Sequence, residues 1–197
     1  MKKKFEQVYQ FKISLKGIRP IIWRRIQVPE SYAFWDLHVA IQDVMGWLDY
    51  HLHEFEIVNP LTGLKVNIGI PDGDFDKEVL PGLKEKISDY FSMENRLADY
   101  TYDFGDSWEH SVKLEKILPK EKDVNYPICI AGKRACPPED CGGIWGYEDF
   151  LKIISNPDDK EYEEMIKWAG GKFDPEDFDM KEISFDNPAK RWKIAFI

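Results

Sequence analysis

The chain has 197 residues, and its 27 Lys and Arg against 36 Asp and Glu give a formal net charge of −9. Aromatic residues make up 14% and hydrophobic residues 43%, which excludes a disordered chain because such chains are poor in aromatic residues. The acidic balance disfavours nucleic-acid partners, because non-specific binding depends on neutralising phosphates with Lys and Arg. No stretch approaches the roughly 20 apolar residues of a membrane span, so we expect no membrane partner.

The cysteine count and the start of the chain indicate a compartment. The chain contains three cysteines, an odd number, and no apolar segment follows the basic residues at its start. We therefore expect a cytoplasmic protein whose cysteines are free thiols or metal ligands rather than a disulfide framework. About 200 residues suit one domain, and we predict a single domain over residues 1–197.

Alternating apolar and polar residues predict two β-hairpins. Residues 9–15 and 22–28 alternate on either side of a turn with Gly and Pro. Residues 98–104 and 108–114 alternate in the same way around a turn at residues 105–107. In the first strand of the second hairpin, Tyr102 and Phe104 lie on the apolar face, which we expect to point inward.

The remaining pattern combines helices with short strands and loops. Apolar residues at three- and four-residue spacing predict one main amphipathic helix over residues 33–45, capped by Ser31 and ended by Gly46. The other predicted elements are listed here in chain order: strands at 51–58 and 64–68, an acidic turn at 71–74, an ambiguous helix at 83–91, a long loop at 119–143, and helices at 146–155 and 158–169.

These elements predict an α+β fold. Most strand pairs are local hairpins, which favours an antiparallel sheet over a parallel βαβ array. We expect a mostly antiparallel sheet of hairpins packed against one main helix, with a helical C-terminal third. The chain has no Gly-rich phosphate loop and no Gly-x-Ser-x-Gly motif, the usual marks of nucleotide-dependent and serine hydrolase chemistry.

Two kinds of potential metal ligand recur in the chain. His51 and His53 are two residues apart on a strand, so both imidazoles project to one side, and His110 is on the inward face of another strand. Cys136 and Cys141 flank a stiff turn. Zn²⁺ favours four such nitrogen and sulfur ligands, so these five residues predict a site for zinc or another transition metal. The alternative is that they are buried thiols and hydrogen-bonded core histidines.

Carboxylates near the second hairpin are candidate catalytic groups. Asp103 and Asp106 flank its turn and can bind a hard cation or act as an acid–base pair. Glu139 and Asp140, between the two cysteines, are candidate general bases. The alternative for Asp103 and Asp106 is hydrogen bonding to turn amides, which is a common role of Asp in turns.

A basic patch lies near the first hairpin. Arg24 and Arg25, together with Lys12, Lys16 and Arg19, form the densest group of cations there. The pair Arg24 and Arg25 is a candidate anion-binding site. The alternative is that these side chains are the solvated ends of strand residues.

Five segments carry a family resemblance: 21–26 (IIWRRI), 45–47 (MGW), 51–55 (HLHEF), 102–110 (YDFGDSWEH) and 136–147 (CPPEDCGGIWGY). Together they resemble the plasmid pRi ORF-three-like family from about residue 9 to residue 178. The resemblance implies a single α+β domain in mostly bacterial and archaeal cytoplasmic proteins, and the family's polar motif positions coincide with the candidate site residues above. Some members are described as mobile-element proteins or resolvases, but this chain has no recognisable serine recombinase arrangement.

The sequence leaves three functions open. The leading hypothesis is a binding or accessory module for a protein or small-molecule ligand, because no segment carries an assembled catalytic motif. Its polar site is expected between the 51–57 strand, the 99–110 hairpin and the 136–141 loop. The alternatives are a metal-dependent hydrolase and a mobile-element-associated nucleic-acid-binding protein. The sequence indicates neither the substrate nor the oligomeric state.

Overall fold

The structure is a computed structural model that describes residues 5–71 and 78–195. Its strands are β1 Gln7–Leu15, β2 Trp23–Pro29, β3 His53–Val58, β4 Lys65–Gly69, β5 Val79–Pro81, β6 Leu97–Tyr102, β7 Trp108–Pro119 and β8 Ile128–Lys133. Its helices are α1 Phe34–Met45, α2 Ile87–Tyr90, α3 Gly143–Ile154, α4 Tyr162–Trp168 and α5 Pro188–Ala195. The predicted acidic turn falls largely outside the described ranges.

The strands of the described chain form one mixed sheet in the order β5-β4-β3-β6-β7-β1-β2-β8. Neighbouring strands are antiparallel except for β4 and β5, which are parallel. Both predicted hairpins are confirmed, because β1 pairs with β2 and β6 pairs with β7. The structure therefore confirms the α+β class, and the mostly antiparallel sheet has one parallel strand pair at its edge.

Strand β8 lies inside the segment that we predicted to be a loop. It pairs with β2, and the register shifts between Arg25 and Ile26. Five of its six residues are partly exposed, so neither of its faces is clearly apolar. Period-two alternation arises only where one face is buried, and this edge strand therefore gave no signal.

Helix α1 follows its predicted range closely. It ends at Gly46, which has a left-handed φ of 82° and donates its N–H to the Gln42 carbonyl. Its first turn differs from the prediction, because the N-cap is Ala33 and not Ser31. The Asp36 carboxylate accepts the Ala33 N–H at 3.0 Å and so satisfies the amide that precedes the first turn.

The hydrophobic core lies between α1 and one face of the sheet. Phe34 of α1 contacts Phe55 of β3, with ring centroids 5.1 Å apart, and Phe91 after α2, at 6.0 Å. Phe91 in turn contacts Phe11 of β1 at 4.9 Å. Aromatic pairs of this kind contribute about 0.5–1.5 kcal/mol beyond the area they bury, so this row of rings ties α1 to the central strands.

The C-terminal part is less helical than the prediction. Helices α3 and α4 lie near their predicted ranges, but residues 169–187 form no regular element between α4 and α5. Helix α3 has 12 residues, as many as α1, so a single main helix is not confirmed. The helix predicted over residues 83–91 is reduced to the four residues of α2.

The inward face of the second hairpin is confirmed for β7 and corrected at the turn. Trp108 and His110 are fully buried, as the alternation predicts. Phe104 is 48% exposed, although we expected it to share the face of Tyr102. The reason is that β6 ends at Tyr102 and Asp103 adopts a left-handed φ of 55°, which breaks the alternation. Among the described residues, no helix is long and apolar enough to cross a bilayer.

Candidate functional site

The three segments predicted to form the polar site meet at one end of β6. The His51 Nε2 atom lies 2.8 Å from Asp140 Oδ1 and 3.6 Å from Asp103 Oδ2. One ligand atom from each of the three residues lies within 4.8 Å of the other two. We call His51, Asp103 and Asp140 the outer cluster, because the His51 side chain is 33% exposed and that of Asp140 is 62% exposed.

The backbone conformation places both carboxylates of the outer cluster. Asp103 has a φ of 55° and Asp140 a φ of 59°, a left-handed conformation that Asp adopts more readily than most residues. Asp103 Oδ1 accepts the Gly105 N–H at 2.9 Å, which is the turn role weighed in the sequence analysis. Asp103 therefore uses one oxygen for the turn, while its other oxygen faces His51.

The remaining two candidate carboxylates hold the loops around the outer cluster. Glu139 accepts the Tyr102 hydroxyl at one oxygen and the Leu48 N–H, at 2.8 Å, at the other. Asp106 accepts the Gly142 N–H at 3.1 Å. Both groups join the 136–142 loop to other segments, and neither oxygen of Glu139 lacks a hydrogen bond. The catalytic roles proposed for the four carboxylates stay predictions.

The structure distributes the five predicted metal ligands over separate places. No three of their donor atoms come within 4.8 Å of one another. His110 is buried beside Trp47 and Tyr100, with ring centroids 5.5 Å and 5.3 Å away. His51 and His53 belong to two different groups of neighbouring ligands, because His51 precedes β3 and does not continue its alternation.

The two cysteines do not join the histidines. Arg24 Nη2 donates to Cys136 Sγ at 3.3 Å, and Cys141 Sγ lies 3.9 Å from the Gly143 carbonyl oxygen. Burial raises the pKa of Cys136 to about 11 and that of Cys141 to about 12. The predicted mixed Cys and His site is not assembled.

The adjacent arginines point to opposite faces of the sheet, as neighbouring strand residues do. Arg24 is only 2% exposed, and its guanidinium donates to the Val44 carbonyl at 2.8 Å and the Lys133 carbonyl at 3.1 Å. Arg25 forms a two-point ion pair with Glu115 at 2.6 Å and 2.9 Å. The pair therefore does not form one anion site, and Arg24 is committed to the interior.

A second group of potential ligands lies deeper and was missed by the sequence analysis. His38 Nε2 is 2.8 Å from Asp49 Oδ1, and the His38 ring stacks on the His53 ring with centroids 3.4 Å apart. We call His38, Asp49 and His53 the inner cluster. One sequence signal could have pointed to this cluster: His38 and Gln42 are polar residues one turn apart in the predicted helix. In the structure both side chains are fully buried.

A groove lies beside the outer cluster. Its volume is about 390 Å³, and it is lined by the turn between β6 and β7, by residues 16–17 and by the first turn of α3. Asp106 lines the groove and also donates its N–H toward Asp103 Oδ1 at 3.4 Å. Trp145, on the rim, is 79% exposed. The groove is not lined by His51, Asp103 or Asp140 themselves, and Asp106 is the lining residue that contacts the outer cluster.

Gly146 fixes the approach of the 136–142 loop to α3. A Cβ at this position would overlap the Cys141 carbonyl oxygen. We expect Gly146→Ala to lower the free energy of unfolding by about 1–3 kcal/mol, the usual cost of forcing extra atoms into a packed site. Urea denaturation checks this. Ala normally stabilises a helix relative to Gly by about 1 kcal/mol, so a stabilised variant would contradict the packing described here.

The fold defines the class of the molecule: an α+β protein with one large mixed sheet, in which a cluster of His and Asp side chains lies at the end of β6. The chain belongs to the family described as Plasmid pRiA4b ORF-3-like protein, whose model matches residues 7–182. This confirms the family resemblance of the sequence motifs.

Two relatives extend the comparison. The chain is 31% identical over 195 residues to "Uncharacterized protein y4hQ" of Sinorhizobium fredii, and the match covers 94% of each chain. It is 56% identical to the crystal structure "Protein of Unknown Function MM3350 from Methanosarcina mazei Go1", with a TM-score of 0.87 over 92% of this chain and all of that one. Neither name states an activity, so the function must be argued from the site.

Proposed function

We propose that the protein is a metal-binding module whose divalent ion is held by the outer cluster and presented to a small-molecule ligand. The observation that carries this proposal is the convergence of His51, Asp103 and Asp140 from three separate segments, with their ligand atoms within 4.8 Å of one another. Two of the three side chains are accessible to solvent, so an ion and its ligand can reach them.

The spacing of the donor atoms suits a shared ion. A divalent ion with bonds of about 2.0–2.1 Å holds neighbouring ligand atoms roughly 3 Å apart. The two distances from His51 Nε2, 2.8 Å to Asp140 and 3.6 Å to Asp103, lie on either side of this value. One imidazole and two carboxylates suit Zn²⁺ or Mn²⁺, and the two negative charges match a dication.

A metal-dependent hydrolase is the second candidate. Three protein ligands leave coordination positions at which an ion can activate water, and the groove of about 390 Å³ offers room for a substrate. Asp106 and Glu109 both line this groove, and Asp106, which lies in the same turn as Asp103, is the candidate base. Turnover of ester or phosphoester substrates that requires both the metal and Asp106 would support this function over binding alone.

Metal titration of chelator-treated protein tests the proposal. Removing a residue that hydrogen-bonds to a metal ligand typically weakens metal affinity 10–100-fold. His51→Ala and Asp140→Asn remove ligands themselves, so we expect each to weaken Zn²⁺ binding at the outer cluster by more than this. Asp149→Asn is the matched control, because Asp149 is similarly exposed and pairs with Lys152, outside the outer cluster. Calorimetric titration of the three variants gives the affinities.

The variants also define the contradicting result. If Zn²⁺ binds His51→Ala, Asp140→Asn and Asp149→Asn as it binds the unsubstituted chain, the outer cluster is an ordinary ion pair on a turn. Circular dichroism spectra establish that each variant is folded, so that a loss of binding reports the ligands themselves.

A further inference from the structure

We propose that the inner cluster, His38, Asp49 and His53, is a second and buried binding site for a divalent transition metal ion. This site is separate from the outer cluster, and its existence does not depend on the function proposed for the outer cluster. The ligand atoms of His38, Asp49 and His53 lie within 4.8 Å of one another, and two of the three residues are buried.

The backbone brings the three residues together from α1, from β3 and from the connection between them. Gly46 ends α1 with a φ of 82°, and Asp49 reverses the chain again with a φ of 64°. The Asp49 carboxylate consequently returns to His38, four residues after α1 begins. His53 is the first residue of β3 and lies against His38, with the ring planes only 8° apart.

The inner cluster contains polar atoms that nothing in the described chain satisfies. His53 Nδ1 and Asp49 Oδ2 are buried and have no hydrogen-bond partner among the described residues. A buried polar atom without a partner costs about 1–3 kcal/mol, so two in one cluster indicate a missing ligand. Two imidazoles and a carboxylate supply the nitrogen and oxygen donors that a transition metal ion prefers. Because the two ring planes are nearly parallel, one imidazole must tilt for both nitrogens to face the same ion.

A hydrogen-bonded chain behind His38 can support a bound ion. Tyr100 Oη lies 2.9 Å from His38 Nδ1, and Gln42 Nε2 donates to the same hydroxyl at 2.9 Å. In the metal-free chain Asp49 accepts the proton of His38 Nε2, and Tyr100 donates to Nδ1. If His38 Nε2 held an ion, the imidazole would carry its proton on Nδ1 and donate it to Tyr100. Rotation of the Gln42 amide would then give the hydroxyl an acceptor, because Gln42 Oε1 has no partner among the described residues.

The charges around the inner cluster favour a cation. Arg191 of α5 is the neighbouring positive charge, and it is 2.7 Å from Asp43 and 2.5 Å from Asp186. Counting Asp49 of the inner cluster with these two carboxylates and the guanidinium gives a balance of −2 when all are ionised. A dication would neutralise this balance.

Helix α5 covers the cluster: Trp35, whose ring is 5.0 Å from that of His38, donates its indole N–H to the Pro188 carbonyl at 2.9 Å. The position under α5 predicts slow exchange of the ion, typical of a structural site.

Titration with Co²⁺ and Zn²⁺ tests this inference separately from the function of the outer cluster. We expect the chelator-treated chain to take up two equivalents. His38→Gln and His53→Gln should each lose the more slowly exchanging equivalent, while His51→Ala should lose the other. His110→Gln is the matched control, because His110 is an equally buried imidazole outside both clusters. It should retain both equivalents.

A measurement on the unsubstituted chain keeps the test independent of variant folding. In nitrogen-15 spectra of the imidazoles, added Zn²⁺ should shift ring nitrogens of His38 and His53 and leave those of His110 unchanged. Unshifted His38 and His53 signals at saturating Zn²⁺ would overturn the inference. One equivalent that survives in His38→Gln and disappears in His51→Ala would overturn it too, while supporting the outer cluster. The reverse pattern would contradict the outer cluster alone.

Discussion

Arg24→Ala should lower the free energy of unfolding by about 3–5 kcal/mol, because it would leave buried backbone carbonyls without donors, at about 1–3 kcal/mol each. The guanidinium donates to the Val44 carbonyl, where α1 ends, and to the Lys133 carbonyl, where β8 ends. It also stacks on the Phe178 ring, 4.0 Å from the ring centroid. One side chain thus joins α1, the sheet edge and the C-terminal segment.

Urea denaturation of Arg24→Ala gives the change in the free energy of unfolding, and Arg25→Ala is the matched control. Arg25 pairs with Glu115 on the open face of the sheet, and partly exposed pairs contribute about 1 kcal/mol or less. Arg24→Lys should remain destabilised, because an ammonium cannot reach the same acceptors as the planar guanidinium. Equal losses for Arg24→Ala and Arg25→Ala would contradict the interior role of Arg24.

The buried His110 should make the protein sensitive to acid. Burial lowers the pKa of His110 to about 4, whereas in the unfolded chain it is about 6.5. Between these values the unfolded state binds a proton that the folded state does not, so stability falls as the pH falls through this window. At 1.36 kcal/mol per pH unit, the full effect is about 3 kcal/mol, and about 2 kcal/mol of it is present at pH 5.

Comparison of His110→Gln with the unsubstituted chain isolates this contribution. His38 and His53 also have lowered pKa values and act in the same direction, so the unsubstituted chain alone does not identify the residue. Urea denaturation at pH 7 and pH 5 should show a loss that is about 2 kcal/mol smaller in His110→Gln. An unchanged loss would mean that His110 is accessible to protons in the folded state.

The parts of the fold that depend on local periodicity could be predicted. The two hairpins have one buried face each, so alternation identified them, and Gly46 marked the end of α1 because a left-handed C-cap favours Gly. Strand β8 could not be found in this way, since it has no clearly buried face. The turn after β6 was misjudged at Phe104, because a left-handed residue interrupts the strand.

The candidate site was predicted by segment more successfully than by residue. His51, Asp103 and Asp140 do meet, because the three motifs that contain them are joined by hydrogen bonds such as that between Asp106 and Gly142. Spacing along the chain did not reveal where each side chain points. Cys136 turns to the interior beside Arg24. Residue type also favoured the cysteines over the carboxylates as ligands, although only the carboxylates reach His51.

The inner cluster shows which information the sequence lacked. His38 lies in a helix, and its partners lie 11 and 15 residues further along, beyond the range of helical spacing. Only the left-handed turn at Asp49 returns the carboxylate to His38. Such a turn is a weak signal in an Asp-containing loop, because Asp adopts many turn conformations.

Anomalous diffraction from crystals of the metal-free chain soaked in Co²⁺ would test the central claim most directly. The account predicts a peak at the outer cluster, within about 2.0–2.2 Å of His51 Nε2 and of oxygens from Asp103 and Asp140. A second peak between His38, Asp49 and His53 is expected from the buried site. Density that shows His51 still hydrogen-bonded to Asp140, with no peak beside it at saturating Co²⁺, would contradict the proposed function.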